Sequence, residues 1–234
     1  MSKECGRWAL VLLACALAVA WTPARAEPYL AVREGQACAT CHVNPGGGGM
    51  RTVFGNAYAQ NQFALWPIDP GSRGPWLGNV NEFLRVGGNF RYDARYVGIP
   101  HQEDTDEFAT DDLRVYGAAE LIPNRVTLYL DQRLAPGQSQ TREVYGLLYS
   151  ASRRYYLKAG KMYLPFGLRL QDDASYVRAA SGYNFTTPDE GVEVGIDRAP
   201  WFGQLAVSNG SGGGAEEDKG KQATASLGRT RRKG

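Results

Sequence analysis

The feature that most restricts the fold of this chain is a long alternation of apolar and polar residues that begins near position 83. Between Phe83 and Val97, every second residue is apolar, glycine or aromatic, and the residues between them are mostly polar or charged. A period of two predicts a β-strand, because successive side chains of a strand point to opposite faces of its sheet. A barrel strand that crosses a membrane needs about 9 to 11 residues, and this segment is long enough.

The same alternation recurs along the rest of the chain and predicts a mainly β, antiparallel fold. Further strands are predicted at about 113–121, 125–133, 143–151, 153–163, 190–198, 201–208 and 221–229. Pro123-Asn124 predicts a tight hairpin turn, and short turns alternate with longer polar loops, as in outer-membrane barrels. We therefore expect porin-like antiparallel β-barrel strands, with a soluble β-sandwich as the alternative.

In a barrel, the polar face of each strand lines the interior and the apolar face meets lipid. The polar faces carry six arginines, which we expect to pair with Asp93, Glu120 and Asp131 or to be solvated: Arg85, Arg91, Arg95, Arg114, Arg125 and Arg133. Aromatic residues near strand ends predict girdles at the membrane interfaces: Tyr92, Tyr96, Tyr155, Tyr156, Tyr163 and Trp201.

Residues 1–26 have the pattern of a secretory signal peptide. Two cations, Lys3 and Arg7, precede an apolar stretch that ends near Trp21, and small residues follow at 24–26. The stretch is shorter than the ~20 apolar residues that a membrane-spanning helix requires. The alternative, a lipoprotein cleavage site before Cys15, fits poorly because the apolar stretch continues past it. We expect an exported protein, in the outer membrane or, alternatively, in the periplasm.

The mature chain then keeps two cysteines, and their spacing indicates a redox cofactor. Cys38-Ala39-Thr40-Cys41-His42 matches the attachment motif of c-type haem. On one turn of helix, two thiols three positions apart reach the two vinyl groups of the porphyrin, and the next imidazole lies under the iron. Cys38 and Cys41 are therefore predicted to bind one covalent haem c, with His42 as the proximal iron ligand. Its propionates are a further set of possible partners for the six arginines of the barrel interior.

Other uses of this cysteine pair fit less well. A structural zinc site needs four ligands, and the mature sequence offers no further cysteine and one further histidine, His101. A thioredoxin-type pair would start a helix within a strand–helix–strand unit, which the surrounding pattern does not predict. The distal iron ligand stays open: Met50, His101 and Met162 are the candidates, with Met50 first and a five-coordinate iron as the alternative.

The motif belongs to a short helical segment ahead of the strands. We divide the mature chain into a monohaem segment at 27–66, a linker at 67–82 and the strands at 83–234. Apolar residues recur at helical spacing from Met50 to Leu65, which predicts a short amphipathic helix whose apolar side covers the porphyrin. A segment this short needs a supporting surface in addition to its haem.

Together, the export signal, the haem motif near the mature N-terminus, the Phe54-Gly55 helix and the alternating strands resemble the fused cytochrome–porin family. The resemblance covers nearly the whole mature chain, and only Cys38, Cys41 and His42 carry over residue by residue. It implies an outer-membrane electron-transfer protein. Its implied partners are outer-membrane lipid, periplasmic electron-carrier cytochromes and extracellular ferrous iron.

Two features depart from the family. About eight strands make a barrel whose interior side chains fill it, so that a haem plug needs a wider barrel. The basic sequence after Gly228 lacks a terminal aromatic residue. We therefore expect an incomplete barrel, in a fragment of a longer chain.

The sequence favours an electron-transfer protein over a turnover enzyme, since it shows no paired carboxylates and no nucleophile motif. A soluble periplasmic carrier and a solute channel with a structural haem are the alternatives. The formal net charge of +2 predicts no nucleic-acid partner.

Overall fold

The computed structural model describes residues 35–62, 76–100, 103–167, 176–181, 183, 187–198, 201–212, 214 and 219–229. The predicted signal peptide and His101 lie outside these residues. The helices are α1 (Cys38–Cys41), α2 (Val53–Gln62) and α3 (Tyr176–Ser181). The strands are β1 (Leu84–Val97), β2 (Thr105–Ile122), β3 (Val126–Ala135), β4 (Gln140–Tyr149), β5 (Tyr155–Met162), β6 (Asp189–Arg198), β7 (Trp201–Ser208) and β8 (Gln222–Arg229).

The strands form one antiparallel sheet in which each strand pairs with its neighbours in sequence, in the order β1 to β8. This confirms the mainly β, antiparallel prediction and the count of about eight strands. Within the described part of the chain there is no second sheet, as a sandwich would require, and β1 and β8 do not pair with each other. The sheet is therefore open, as expected of an incomplete barrel.

In most soluble sheets the apolar face is buried and the polar face is exposed, and in this sheet the arrangement is reversed. One face, called the inner face here, is buried and carries tyrosines and charged residues, including Tyr116, Tyr129, Tyr145, Lys158 and Glu193. The other, the outer face, leaves its apolar side chains exposed: Val115, Leu128, Leu130, Val144, Leu148, Leu157, Val192, Val194, Leu205 and Val207. The alternation in sequence thus separates a polar interior from an apolar exterior.

Residues 35–62, the N-terminal segment, lie against the inner face and show that the sheet is curved. Gly46 and Met50 are only four residues apart, so their Cα atoms are at most about 14 Å apart. Yet a Cβ on Gly46 would lie 3.3 Å from Nε2 of Gln204 on β7, and the Cγ atom of Met50 lies 3.9 Å from the Cβ position of Gly87 on β1. In a flat sheet these strands would be about 29 Å apart, so the sheet curls around the segment.

The connections between strands are short at one end of the sheet. Residues 123–125, 150–154 and 199–200 join strands at what we call the short-turn end. The connections at the opposite end are 98–104, 136–139, 163–188 and 209–221, of which only 136–139 is short. Among the described residues, no helix is long and apolar enough to cross a membrane.

The β1–β2 hairpin is longer than the sequence pattern predicts. We expected a strand at about 113–121, but β2 begins at Thr105, and its first residues pair with β1 alone. Cross-strand contacts stabilise this ribbon on both faces: the rings of Tyr92 and Phe108 stack at 6.4 Å, and Arg95 pairs with Asp111 at 2.9 Å. Such pairs support a strand whose own alternation is weak.

Candidate functional site

The two cysteines lie on a single helical turn, and they are not joined to each other by a disulfide. Cys38 and Cys41 begin and end α1, and each is half-buried. The backbone amide of His42 donates to the carbonyl oxygen of Cys38 at 2.9 Å, which closes the turn. The Nδ1 atom of the His42 ring is buried. The structure therefore brings the three predicted haem residues together on one turn and the residue that follows it.

The turn is held by the chain that returns beside it. His42 forms an antiparallel bridge with Arg51, and the amide of Thr52 donates to the carbonyl oxygen of Cys41 at 2.9 Å. The hydroxyl of Thr52 donates to the carbonyl oxygen of Thr40 at 2.8 Å and accepts from the amide of Gly55 at 3.0 Å. Thr52 thus acts as the N-cap of α2 and connects that helix to α1, which we call the cysteine turn.

Helix α2 crosses the cysteine turn very closely. A Cβ on Gly55 would collide with the backbone carbonyl group of Cys41, so no other residue type fits there without a shift. Beside this contact, the side chains of Val53 and Phe54 are 37% and 50% exposed. Apolar side chains of the first turn of α2 are therefore exposed next to the residue that packs on Cys41. The sequence predicts α2 but not this contact, since Gly55 carries no pattern signal.

The surroundings of Cys41 change its acidity. Burial raises the pKa of the Cys41 thiol, and the positive charge of Arg51 partly opposes that change. The thiolate is the nucleophilic form of cysteine. Cys41 is therefore a weakly reactive thiol near neutral pH.

The loop after the motif anchors the N-terminal segment to the sheet. The side-chain amide of Asn44 donates to Oε1 of Glu143 on β4 at 2.9 Å, and both residues are buried. The amide of Met50 donates to the hydroxyl of Tyr129 on β3 at 2.9 Å. Gly49 has a φ of +62°, and any Cβ there would collide with the same hydroxyl. The four consecutive glycines at 46–49 thus let the backbone approach tyrosine and carboxylate groups of the inner face.

Two candidate distal ligands, Met50 and Met162, lie among the described residues, and both are buried. Val43 and Met50 follow the bridged pair His42 and Arg51, and the amide of Val43 donates to the carbonyl oxygen of Met50. Because successive side chains of an extended segment alternate, the side chains of Val43 and Met50 point to the side opposite that of His42. Both belong to the buried cluster on the inner face, which also contains Met162 of β5. This placement explains the burial of Met50 by packing, and its assignment as the distal ligand stays a prediction.

A buried polar network extends across β5, β6 and β7. The ammonium group of Lys158 lies 2.9 Å from Oε1 of Glu193, and each side chain is 1% exposed. The hydroxyl of Tyr156 donates to the same carboxylate at 2.8 Å and accepts from Nε2 of Gln204 at 2.9 Å. Sequence reasoning missed this network, because the alternation shows which face each residue takes but not which partner it meets across the sheet.

A cavity of about 160 Å³ lies on the opposite side of the cysteine turn from the thiols, at the short-turn end. Seven residues line it: Ala39, Thr40, Pro45, Tyr149, Arg153, Tyr156 and Asp197. On one helical turn, positions 39 and 40 face away from positions 38 and 41. The turn is therefore supported from behind by the sheet, and its cysteine face is directed elsewhere.

Over the part of the chain that the structure describes, no group of three or more His, Cys, Asp or Glu side chains is arranged to hold a metal ion. Arg85 pairs with Glu120 at 2.9 Å, which is one of the pairings that the sequence left open. A scan of protein-family models, a search of curated proteins and a search of solved structures find no match to this chain.

Proposed function

We propose that this protein is an exported outer-membrane c-type cytochrome that passes electrons through one covalent haem held by a porin-like sheet. The observation that carries the proposal is the placement of two cysteines on one helical turn, followed directly by His42, in a segment that packs against the inner face of the sheet. The motif itself is specific for covalent haem attachment. The support therefore comes from residue chemistry together with placement.

The residues present fit a haem on three counts. The cysteines have the spacing that two vinyl groups require, and neither is used in a disulfide. The backbone of Gly47, with a φ of +86°, passes beside Cys38 without a side chain: a Cβ there would lie 3.6 Å from Sγ. Exposed Val53 and Phe54 supply an apolar wall next to the turn. A flat apolar ring system gains burial from such a surface.

The chain's own residues have defined tasks in this proposal. Cys38 and Cys41 form the covalent links, and His42 is the proximal ligand. Thr52 and Gly55 hold the turn against α2, while Asn44 and the backbone of Met50 position the segment inside the sheet. When bound, the haem supplies one-electron chemistry between Fe(II) and Fe(III).

The apolar outer face supports a place in the outer membrane. Barrels of that membrane present apolar side chains to lipid, keep a polar interior, and have short periplasmic turns and longer extracellular loops. By this rule the short-turn end faces the periplasm, where periplasmic electron-carrier cytochromes are the proposed partners. The resemblance to cytochrome–porin proteins suggests extracellular ferrous iron as the electron donor.

The test is to produce the full-length chain in a bacterial host that matures c-type cytochromes. We expect a protein in the outer-membrane fraction that needs detergent for extraction and retains haem after denaturation. The reduced pyridine adduct should show a c-type spectrum. Cys38→Ala/Cys41→Ala should lose covalent haem, whereas the control Thr40→Ala should retain it. A colourless wild-type protein with both thiols titratable would contradict the proposal.

Two alternatives have their own outcomes in the same preparation. A haem protein that purifies as a water-soluble monomer would indicate a periplasmic carrier. Conductance in planar bilayers, with a haem that neither an electrode nor ferrous iron reduces, would indicate a solute channel with a structural haem.

A further inference from the structure

Exposed arginines gather at the short-turn end of the sheet and beside the cysteine turn. Arg51 bridges to His42 in the N-terminal segment, and the others lie in the turns or at the strand ends of the short-turn end: Arg125, Arg153, Arg154, Arg198 and Arg229. In the described part of the chain, none of these six forms an ion pair. The described carboxylates at this end are Glu82, Glu120 and Asp197, of which Glu120 is paired with Arg85. This end therefore carries excess positive charge.

The opposite end differs, although it also carries arginines. Arg91 pairs with Asp111 at 3.0 Å, and Arg95 pairs with Asp93, Glu107 and Asp111 at 3.3, 3.4 and 2.9 Å. The arginines of the long β1–β2 hairpin are thus paired with carboxylates of the same hairpin. Among the residues that the structure describes, the exposed arginines without an ion pair lie at the end that holds the cysteine turn, or beside that turn.

The arginines of the short-turn end fall into two groups. By the two-residue period, Arg125 and Arg154 continue the inner-face rows of Thr127 and Tyr156, whereas Arg198 and Arg229 continue exposed outer-face rows. The guanidinium of Arg229 also lies 5.2 Å from the centre of the outer Trp201 ring. We call Arg51, Arg125, Arg153 and Arg154 the inner rim, and Arg198 and Arg229 the outer rim.

Contacts with neighbouring residues hold Arg153 of the inner rim in place. The guanidinium of Arg153 lies 4.6 Å from the centre of the Tyr149 ring and donates to Oδ1 of Asn124 at 2.9 Å. Arg153 and Asn124 both have positive φ angles, +54° and +59°, which non-glycine residues rarely adopt and which the surrounding contacts must maintain. Arg153 also lines the cavity behind Ala39 and Thr40. A fixed cation therefore stands directly beside the cysteine turn.

We infer that the inner rim is the docking surface for an acidic patch on a soluble electron-transfer protein; the inference rests on the proposed function. A ring of uncompensated cations at a redox site attracts an anionic partner over about a Debye length and orients it toward that site. Two of the four arginines lie beside the cysteine turn: Arg51 bridges to His42, and Arg153 lines the cavity next to Ala39 and Thr40. Arg125 and Arg154 of the inner rim continue inner-face rows and are directed away from lipid. Arg198 and Arg229 of the outer rim continue the outer face, so they are the arginines suited to bind lipid.

The test compares two variants that remove equal charge. Arg125→Gln/Arg154→Gln changes the inner rim, and Arg198→Gln/Arg229→Gln changes the outer rim. The full-length exported chain in neutral detergent is titrated with fluorescein-labelled poly-L-glutamate at low salt. We expect the inner-rim variant to weaken binding by about fivefold or more and the outer-rim variant by less than about twofold, as expected for local charge. Arg153→Lys, which keeps the charge, should bind as the wild type does.

A second readout separates docking from any change at the haem. Oxidation of the reduced protein by hexacyanoferrate(III), an anion, should slow in the inner-rim variant, while oxidation by hexaammineruthenium(III), a cation, should not slow. Equal weakening of polyglutamate binding in both variants would overturn the inference. So would an inner-rim variant that loses binding to phosphatidylglycerol vesicles but keeps polyglutamate. If the protein were colourless, the proposed function would fail, and the polyglutamate comparison would still decide this inference.

Discussion

The thiol of Cys41 illustrates how a single residue depends on its neighbours. Burial raises its pKa, and Arg51 limits the rise. In protein produced without haem attachment, we expect iodoacetamide to modify Cys41 more slowly at pH 8 than in the unfolded chain, because less thiolate is present. Arg51→Gln should raise the pKa further and slow the reaction again, whereas Arg51→Lys should not.

Mass spectrometry of the peptides gives the labelling rate of each cysteine separately. The rate at Cys41 should increase with pH until the raised pKa is passed, above the ordinary value of 9.0. An Arg51→Gln protein that labels faster than the wild type would contradict this account.

Gly55 is the residue at which a small change should have a large effect. In most helices, alanine in place of glycine is favourable by about 1 kcal/mol. Here the added Cβ would collide with the carbonyl group of Cys41, so Gly55→Ala should separate α2 from α1 and cost about 1–3 kcal/mol, as other overpacked contacts do.

The measurement is denaturant unfolding of the detergent-solubilised protein, together with the yield of covalent haem. Gly117→Ala is the matched control, because a Cβ there has no neighbour within 4 Å. If both substitutions leave stability unchanged, the close crossing of the two helices is absent in solution.

Between strands, the buried Lys158–Glu193 pair connects β5 to β6 at directly opposite positions. Removing one partner leaves the other charge in a buried site, and such a loss costs about 3–5 kcal/mol. We expect Glu193→Gln and Lys158→Met to destabilise the sheet by about that much. The double variant should recover most of the loss, since it leaves neither charge behind.

A double-mutant cycle from urea unfolding in detergent tests this pair. Tyr156→Phe serves as a companion variant, as it removes only the hydroxyl that donates to Glu193, and it should cost about 1 kcal/mol. Strictly additive losses for Lys158→Met and Glu193→Gln would show that the two charges do not interact.

For the whole molecule, the outer face decides what surrounds the sheet. Leu130 lies near the middle of β3 and is 41% exposed. In lipid, arginine at the middle of such a face costs about 2–4 kcal/mol, whereas at an exposed position in water it costs within about 0.5 kcal/mol. We expect Leu130→Arg to show the larger loss in lipid vesicles. Ala151→Arg, in the exposed β4–β5 turn, should show almost none, and equal small effects would place the sheet in water.

Local pattern determined a large part of this protein before any contact was known. The alternation of residues alone predicts the eight strands and the two faces of the first three, because period is a property of the backbone conformation. The expected place of Tyr156 in an aromatic girdle was wrong, since its ring is buried on the inner face beside Glu193. The predicted ends of the strands were less accurate where the alternation weakens. Residues Thr105–Asp112 are an example, because pairing with β1 extends β2 over them. The Cys38–His42 motif likewise predicts its chemistry from spacing alone.

Contacts between distant residues were decided only by the tertiary structure. Nothing in the sequence pairs Lys158 with Glu193, Asn44 with Glu143 or Gly55 with Cys41, because each contact depends on strand register or on how the chain returns. The curvature that wraps the sheet around residues 35–62 arises in the same way, from the sum of many pairings. Spacing along the chain encodes local conformation, whereas the meeting of distant groups depends on packing in three dimensions.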